Sequence, residues 1–282
     1  MLVPFLIMLR EGIEAALIVG IIASYLKQTG RGEWMPAVWI GVFLAAALAL
    51  FVGGGLELMS AEFPQKQQEL FEGIVGLVAV GILSSMVFWM RKVARSIKHA
   101  LHASLDAALA GSKNQTYALI AMVFFAVARE GLETVFFLLA VFQQSEGSSA
   151  PLGALLGLLL AIGFGVAIYS GSMRLNLGLF FRWTGLFILV VAAGILSNSV
   201  QALHEAGVWN HLQDVVIDFS ATLPMDGPLG SILAGMFGYQ DAPTVSTLSA
   251  YLIYLIGALV LFFLPHTPTE KQQHSPTSVT NE

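Results

Sequence analysis

Apolar residues along the chain fall into blocks of about twenty, at about 4–26, 36–58, 69–90, 118–142, 152–172, 180–202 and 248–264, each bounded by polar or Gly/Pro-containing segments. A helix needs about that many residues to cross a hydrocarbon core of about 30 Å at about 1.5 Å per residue. The pattern predicts an all-α membrane protein with seven transmembrane helices. The first block carries Arg10, Glu11 and Glu14 and follows an uncharged start, so it reads as a permanent span rather than a cleaved leader. Composition agrees, because only 11% of the 282 residues are charged. A typical soluble domain has roughly 25%, and this chain has too few charges to cover a water-facing surface.

Charge then orients the spans. Lys27 and Arg31 follow the first block, Arg91, Lys92, Arg95, Lys98 and Lys113 the third, Arg174 and Arg182 the fifth, and Lys271 lies in the tail. The segments after the second, fourth and sixth blocks hold only Lys66. Cytoplasmic loops carry the excess of Lys and Arg, which predicts an N-terminus outside and a C-terminus in the cytoplasm. The outer segments are instead acidic, with Glu62, Glu69, Glu72, Glu146, Glu205, Asp214, Asp218, Asp226 and Asp241. Translocated segments avoid basic residues for topological reasons alone, but an acidic face also concentrates cations at a pore mouth.

One permease domain is expected over 1–264, with a Pro/Ser/Thr/Gln-rich cytoplasmic tail, 265–282, of disordered composition. The long outer connection 203–247 reads as a cap, with a short helix over Asn210–Phe219 and a second short apolar piece over Pro228–Gly238. The inner segment 91–110 reads as a basic surface helix whose His99 and His102 are solvated rather than metal-bound. There is no cysteine, which excludes disulfides, thiolate metal sites and redox dithiols. No permanently bound cofactor and no nucleic-acid partner are expected; the lipid bilayer and a metal cation are.

Two segments recur. FLIMLREGIEAALIV from Phe5 matches FFAVAREGLETVFFL from Phe124, and VAVGILSSM from Val78 matches VAAGILSNS from Val191, at separations of 119 and 113 residues. Repeat one is then about 1–90 and repeat two about 118–202, with the seventh helix, about 248–264, added to a 3+3 arrangement. Three spans per unit is an odd number, so the two units insert with opposite topology. Such an inverted repeat commonly holds a transport site at the repeat interface near the bilayer midplane.

The first match carries the chemistry. An ionisable residue in mid-span costs at least about 2.5–3.5 kcal/mol and normally faces a cavity or a partner. Here there are six: Arg10, Glu11, Glu14, Arg129, Glu130 and Glu133. The two glutamates of each motif are i and i+3 and share a helix face, while each arginine is i−4 to the second glutamate. Gly12 and Gly131 leave room for close helix approach or for an ion near the backbone. Glu14 lies about 15 Å below the outer start of its span and Glu133 about 14 Å below the outer end of its own, so the motifs can face each other. Four carboxylates make a hard-oxygen site suited to Fe, Mn, Mg or Ca ions. Plain Arg–Glu locking of the two helices is the competing account, although it needs one acid per base and half of the glutamates are surplus. An intramembrane metalloenzyme is another, but the chain shows no nucleophile–base set.

REGIE (Arg10–Glu14) and REGLE (Arg129–Glu133) resemble the motifs of the oxidase-dependent iron permease family, which includes the fungal high-affinity iron permeases and a bacterial branch. The resemblance continues through EFPQKQQELFEGIV, VFWMRKVARS, RLNLG and HEAGVWNH and covers nearly the whole chain. It implies seven transmembrane helices and iron uptake across the bacterial inner membrane, with Glu11, Glu14, Glu130 and Glu133 as ligands supported by Arg10, Gly12, Arg129 and Gly131. It also implies separate periplasmic partners that oxidise or deliver iron, a haem peroxidase and an iron-binding protein among them. The family's outward ExxE motif is matched by Glu69 and Glu72, candidates for an outer relay, although acids in the first turn of a helix are also favoured by its dipole. His204 and Glu205, where the sixth span emerges, are further candidates. Ligand type alone leaves a manganese permease open.

Overall fold

The computed structural model describes residues 2–61, 64–93, 97–110, 114–143, 149–169, 177–225 and 227–264. Glu62, Arg95, Lys113, Glu146, Arg174, Asp226 and the tail 265–282 lie outside them, as do the side chains of Arg91, Lys92, Lys98 and His99. The described residues form helices α1 (Leu2–Gln28), α2 (Met35–Ala61), α3 (Gln65–Val93), α4 (Ile97–Ala110), α5 (Gln115–Gln143), α6 (Ser149–Tyr169), α7 (Leu177–Glu205), α8 (Pro228–Phe237) and α9 (Val245–Phe263). A single 3₁₀ turn, Gly32–Trp34, joins α1 to α2.

Every apolar block of the sequence coincides with a long helix. Five of these, α2, α3, α6, α7 and α9, are long and apolar enough to cross a membrane. The chain is therefore a multi-pass membrane protein. Helices α1 and α5 are just as long, at 27 and 29 residues, but each carries three ionisable groups near its middle. Helix ends follow local chemistry. Gly30 and Gly207 adopt positive φ after α1 and α7, letting the amides of Arg31 and Val208 donate to the carbonyls of Leu26 and Leu203, six-to-one closures of the last turn. At the start of α9 the Thr244 side chain accepts from the Thr247 amide while the Thr247 side chain accepts from Thr244.

The long helices pack in pairs. Gly12 faces Ala161 and Gly165 faces Ala16, so α1 and α6 run parallel. Gly131 faces Ala49 and Gly53 faces Val135, so α2 and α5 also run parallel. Gly73 meets Leu203 and Gly76 meets Ser199, which makes α3 and α7 antiparallel. Helix α9 leans on α7, and its Tyr254 hydroxyl lies 2.7 Å from the Ser84 hydroxyl of α3. Helix α1 crosses α5 in the opposite sense, with Val3 near Val141 and Ile22 and Leu26 in one apolar cluster with Leu119 and Val123. The ends marked by Leu2, Ala61, Gln65, Gln143 and Glu205 consequently share one side, called here the N-terminal face.

On the opposite face, α4 buries Leu105 and Leu109 between α1 and α5. Its His102 ring stacks on Tyr25 at 4.3 Å between centroids, and the Tyr25 hydroxyl donates to Asp106 at 2.6 Å. His102 is thus packed on an aromatic ring, rather than freely solvated as its basic surroundings suggested.

The connection after α7 differs from expectation in one half. Pro228–Phe237 is helical and ends at Gly238 in the left-handed region, where it meets Gly194 of α7 backbone to backbone. This puts α8 against the ends of α1 and α5, since Val3, Val141 and Gly238 line one small hollow. Asn210–Phe219, expected to be helical, is irregular, with Leu212 at positive φ and a single antiparallel bridge from Val215 to Thr244. The amides of Val216 and Phe219 donate to the carbonyls of Pro243 and Asp241, and that of Val245 donates to Asp214. A second chain segment thus takes the backbone groups that a helix would have satisfied internally.

Candidate metal centre

The two motif helices carry their charges to the place where they cross. Glu11, Glu14 and Glu130 are all buried, and one carboxylate oxygen from each lies within 4.8 Å of the other two. Oxygens on opposite sides of an ion bound at about 2.1 Å stand about 4.2 Å apart, so the group needs only small side-chain movement to close on a hard cation. Helical spacing explains the pairing on α1. Glu130 joins from α5 because the helices are antiparallel there and place it level with Glu14.

Arg10 organises the α1 pair. It is 1% exposed, and its Nη1 donates to Glu11 at 2.9 Å and to the Met86 sulfur of α3 at 3.1 Å. Its Nη2 makes an ion contact of 2.9 Å with Glu14 Oε1, outside hydrogen-bond geometry. Glu11 Oε2 is buried with no partner. Three carboxylates and one guanidinium leave a formal charge of minus two, which a divalent ion would balance. Glu130 forms no ion pair within 4 Å among the described residues, so the pairing of acids with bases does not account for its position.

Of the four glutamates singled out from the sequence, Glu133 is the one not drawn into this group. Its Oε1 accepts from Arg129 Nε at 2.9 Å, and the Arg129 guanidinium lies 4.5 Å over the Trp89 ring of α3. Glu133 remains close enough to interact electrostatically with Glu14 and Glu130, and its Oε2 is buried without a partner. The two arginines are therefore unequal, since the Arg129 side chain is 48% exposed where Arg10 is enclosed. Met86 and Trp89, the residues of α3 that hold the two arginines, carried no signal in the sequence because each looks like any other apolar residue of a span.

Both motif glycines lie at close helix crossings. A Cβ on Gly12 would stand 2.6 Å from that of Ala161, and one on Gly131 would stand 3.1 Å from that of Ala49. Close approach, rather than room for an ion, is what these positions need.

On the N-terminal face, Glu205 comes within hydrogen-bond reach of Glu69 and electrostatic reach of Glu72. Two carboxyl groups that meet need a proton or a cation between them. Helix α3 begins at Gln65, which puts Glu69 and Glu72 beyond the first turn and weakens the dipole account of them. His204 turns away from this group: it is buried and its Nε2 lies 3.1 Å from the Ser246 hydroxyl of α9. One acid missed in the sequence also stands out. Glu57, near the end of α2, lines the same hollow as Glu11 and Glu130.

Comparison with known proteins agrees with this chemistry. The model of the iron permease FTR1 family matches residues 1–268. A ferrous iron permease EfeU of Yersinia pestis is 61% identical over 269 residues, covering 95% of each chain. The protein of the same name from Escherichia coli O157:H7 is 58% identical over 265 residues, covering 94% of this chain and 96% of its own. No solved structure is significantly similar. With the family model spanning nearly its whole length, the chain belongs to the iron permease FTR1 family.

Proposed function

We propose that the chain is a high-affinity iron permease of the bacterial inner membrane that imports iron through the carboxylate group at the crossing of α1 and α5. The observation that carries this reading is the approach of Glu11, Glu14 and Glu130 within 4.8 Å, with a single arginine against three acids. In this reading Glu133 completes the ligand set when it leaves Arg129, so that all four glutamates serve the ion in passage. The relatives' name, ferrous iron permease, supports iron over manganese as cargo and transport over catalysis.

Seven spans with the N-terminus outside follow if α1 and α5 cross the bilayer with the five apolar helices. The helix pairing supports an inverted repeat: exchanging α1 with α5, α2 with α6 and α3 with α7 turns the α1–α6 pair into the α5–α2 pair. The same exchange carries Gly12 against Ala161 into Gly131 against Ala49. Glu69, Glu72 and Glu205 act as an outer relay, whereas His204 serves α9 rather than the ion. Periplasmic proteins of the same uptake system, a haem peroxidase and an iron-binding protein, deliver and oxidise the ferrous iron.

Glu130→Gln tests the centre. Among the described residues Glu130 has no ion pair to lose, so the variant should insert and melt like the unchanged protein while iron uptake into proteoliposomes is abolished or severely reduced. Uptake at the unchanged rate would overturn the carboxylate site. Iron movement with no added substrate consumed would dispose of the metalloenzyme alternative.

A further inference from the structure

Both motif arginines are held from α3. Met86 and Trp89 stand at i and i+3 on that helix and share a face. The Met86 sulfur accepts from Arg10 at 3.1 Å, and the Trp89 ring has the Arg129 guanidinium 4.5 Å from its centroid. The two contacts differ in consequence. Arg10 is enclosed and also reaches Glu11 and Glu14, so three partners fix it. Arg129 is half-exposed and makes one ion pair among the described residues, to Glu133.

That one pair cannot hold Arg129 through a transport cycle. Once Glu133 turns to the ion, the guanidinium has lost its carboxylate, yet it remains within electrostatic reach of Glu14, Glu130 and Glu133. Left to itself, a long cationic side chain would be drawn among those acids and would take the place meant for the ion. The Trp89 ring opposes this. Of the aromatic side chains, an indole attracts a cation to its face most strongly, and the attraction needs no carboxylate.

We propose that Trp89 is a positioning residue of the transport site: its ring parks the Arg129 guanidinium beside the centre, so that Glu133 can pass from arginine to ion without the guanidinium following. The inference rests on the permease reading above and deepens it, naming a residue that sets how firmly the ion is held. Trp89 acts through Arg129 and touches no ion itself. Without the ring, the guanidinium competes with the ion for the same carboxylates. Such competition weakens loading and is overcome at high iron, so it raises KM and spares the maximum rate.

The test uses the full chain in proteoliposomes with ferrous iron, comparing Trp89→Leu, Trp89→Phe and Glu130→Gln. Trp89→Leu should raise the iron concentration for half-maximal uptake about tenfold and leave the maximum rate little changed. Trp89→Phe, which keeps a weaker ring face, should raise it about threefold. Equal values for the two variants would show that the ring face is not the agent. An unchanged value for Trp89→Leu beside an inactive Glu130→Gln would overturn the role of Trp89 and leave the permease reading standing; an active Glu130→Gln would overturn that reading itself. A second measurement serves where Trp89→Leu does not fold. Equilibrium binding of ferrous iron to the purified protein should weaken about threefold on Trp89→Phe, and the same change should have no effect beside Arg129→Gln, which leaves no guanidinium to park. Equal weakening in both backgrounds, or none in either, would overturn the proposal.

Discussion

Gly12 stands so close to Ala161 that a methyl group added to it would lie 2.6 Å from the alanine's own Cβ, whereas the corresponding distance from Gly131 to Ala49 is 3.1 Å. Neither contact ends on a flexible side chain that could swing away. Gly12→Ala should therefore lower the stability of the detergent-solubilised protein by about 1–3 kcal/mol, the range for overpacking, and Gly131→Ala by less. Thermal unfolding of the two variants side by side checks the order; equal melting points would mean that α1 and α6 are no more tightly joined than α2 and α5.

Arg10 and Arg129 should tolerate lysine differently. Arg10 reaches two carboxylates and a sulfur with one planar fork, a geometry that a single ammonium cannot copy. Arg10→Lys should cut iron uptake by about tenfold or more, the cost of one lost charge-assisted hydrogen bond being about 1.5–3 kcal/mol. Arg129 makes one ion pair from a half-exposed position over Trp89, so Arg129→Lys should stay within about fivefold of the unchanged rate. Uptake assays at saturating iron decide between them, and the reverse order would refute the unequal roles of the two arginines.

The local part of this centre was legible in the sequence because it depends on helical spacing within single spans. Arg10, Glu11 and Glu14 fall on one face by arithmetic, and the antiparallel crossing of α1 and α5 brings Glu130 level with them. What the third helix does was not legible: Met86 and Trp89 divide the arginines into an enclosed one and an open one, and so decide that Glu133 is held back. The same holds for Asn210–Phe219, whose composition suits a helix but whose amides are claimed by Asp241 and Pro243, more than twenty residues away.

At the cluster on the N-terminal face, the proposed relay role means that Glu69→Gln with Glu72→Gln should raise the apparent KM for iron more than it lowers the maximum rate, because such a step precedes translocation. Glu205→Gln should show the same effect, since its carboxyl meets that of Glu69. His204→Gln should instead lower stability with KM unchanged, its ring being tied to Ser246. An equal loss of rate at saturating iron in the glutamate variants would move them into the translocation path.

Orientation has its own test. A reporter active only in the cytoplasm should work when fused after Lys98 or after His266 and be silent when fused within 220–230. Activity at 220–230 would reverse every statement about which face receives the ion.

The clasp between Gly12 and Ala161 also bears on how the protein is made. Ala161 follows Gly12 by 149 residues, which at about 5–20 residues per second means that α1 leaves the ribosome roughly 7–30 s before the helix that encloses it exists. Through that interval its three ionisable groups have no neighbour from the second half of the chain. They have one another: Arg10 binds Glu11 and Glu14 on its own helix, within reach as soon as two turns have formed. The intrahelical pairing that later shapes the candidate metal centre thus first serves a nascent segment, offsetting its charges while it waits in or beside the bilayer for its partner to be synthesised.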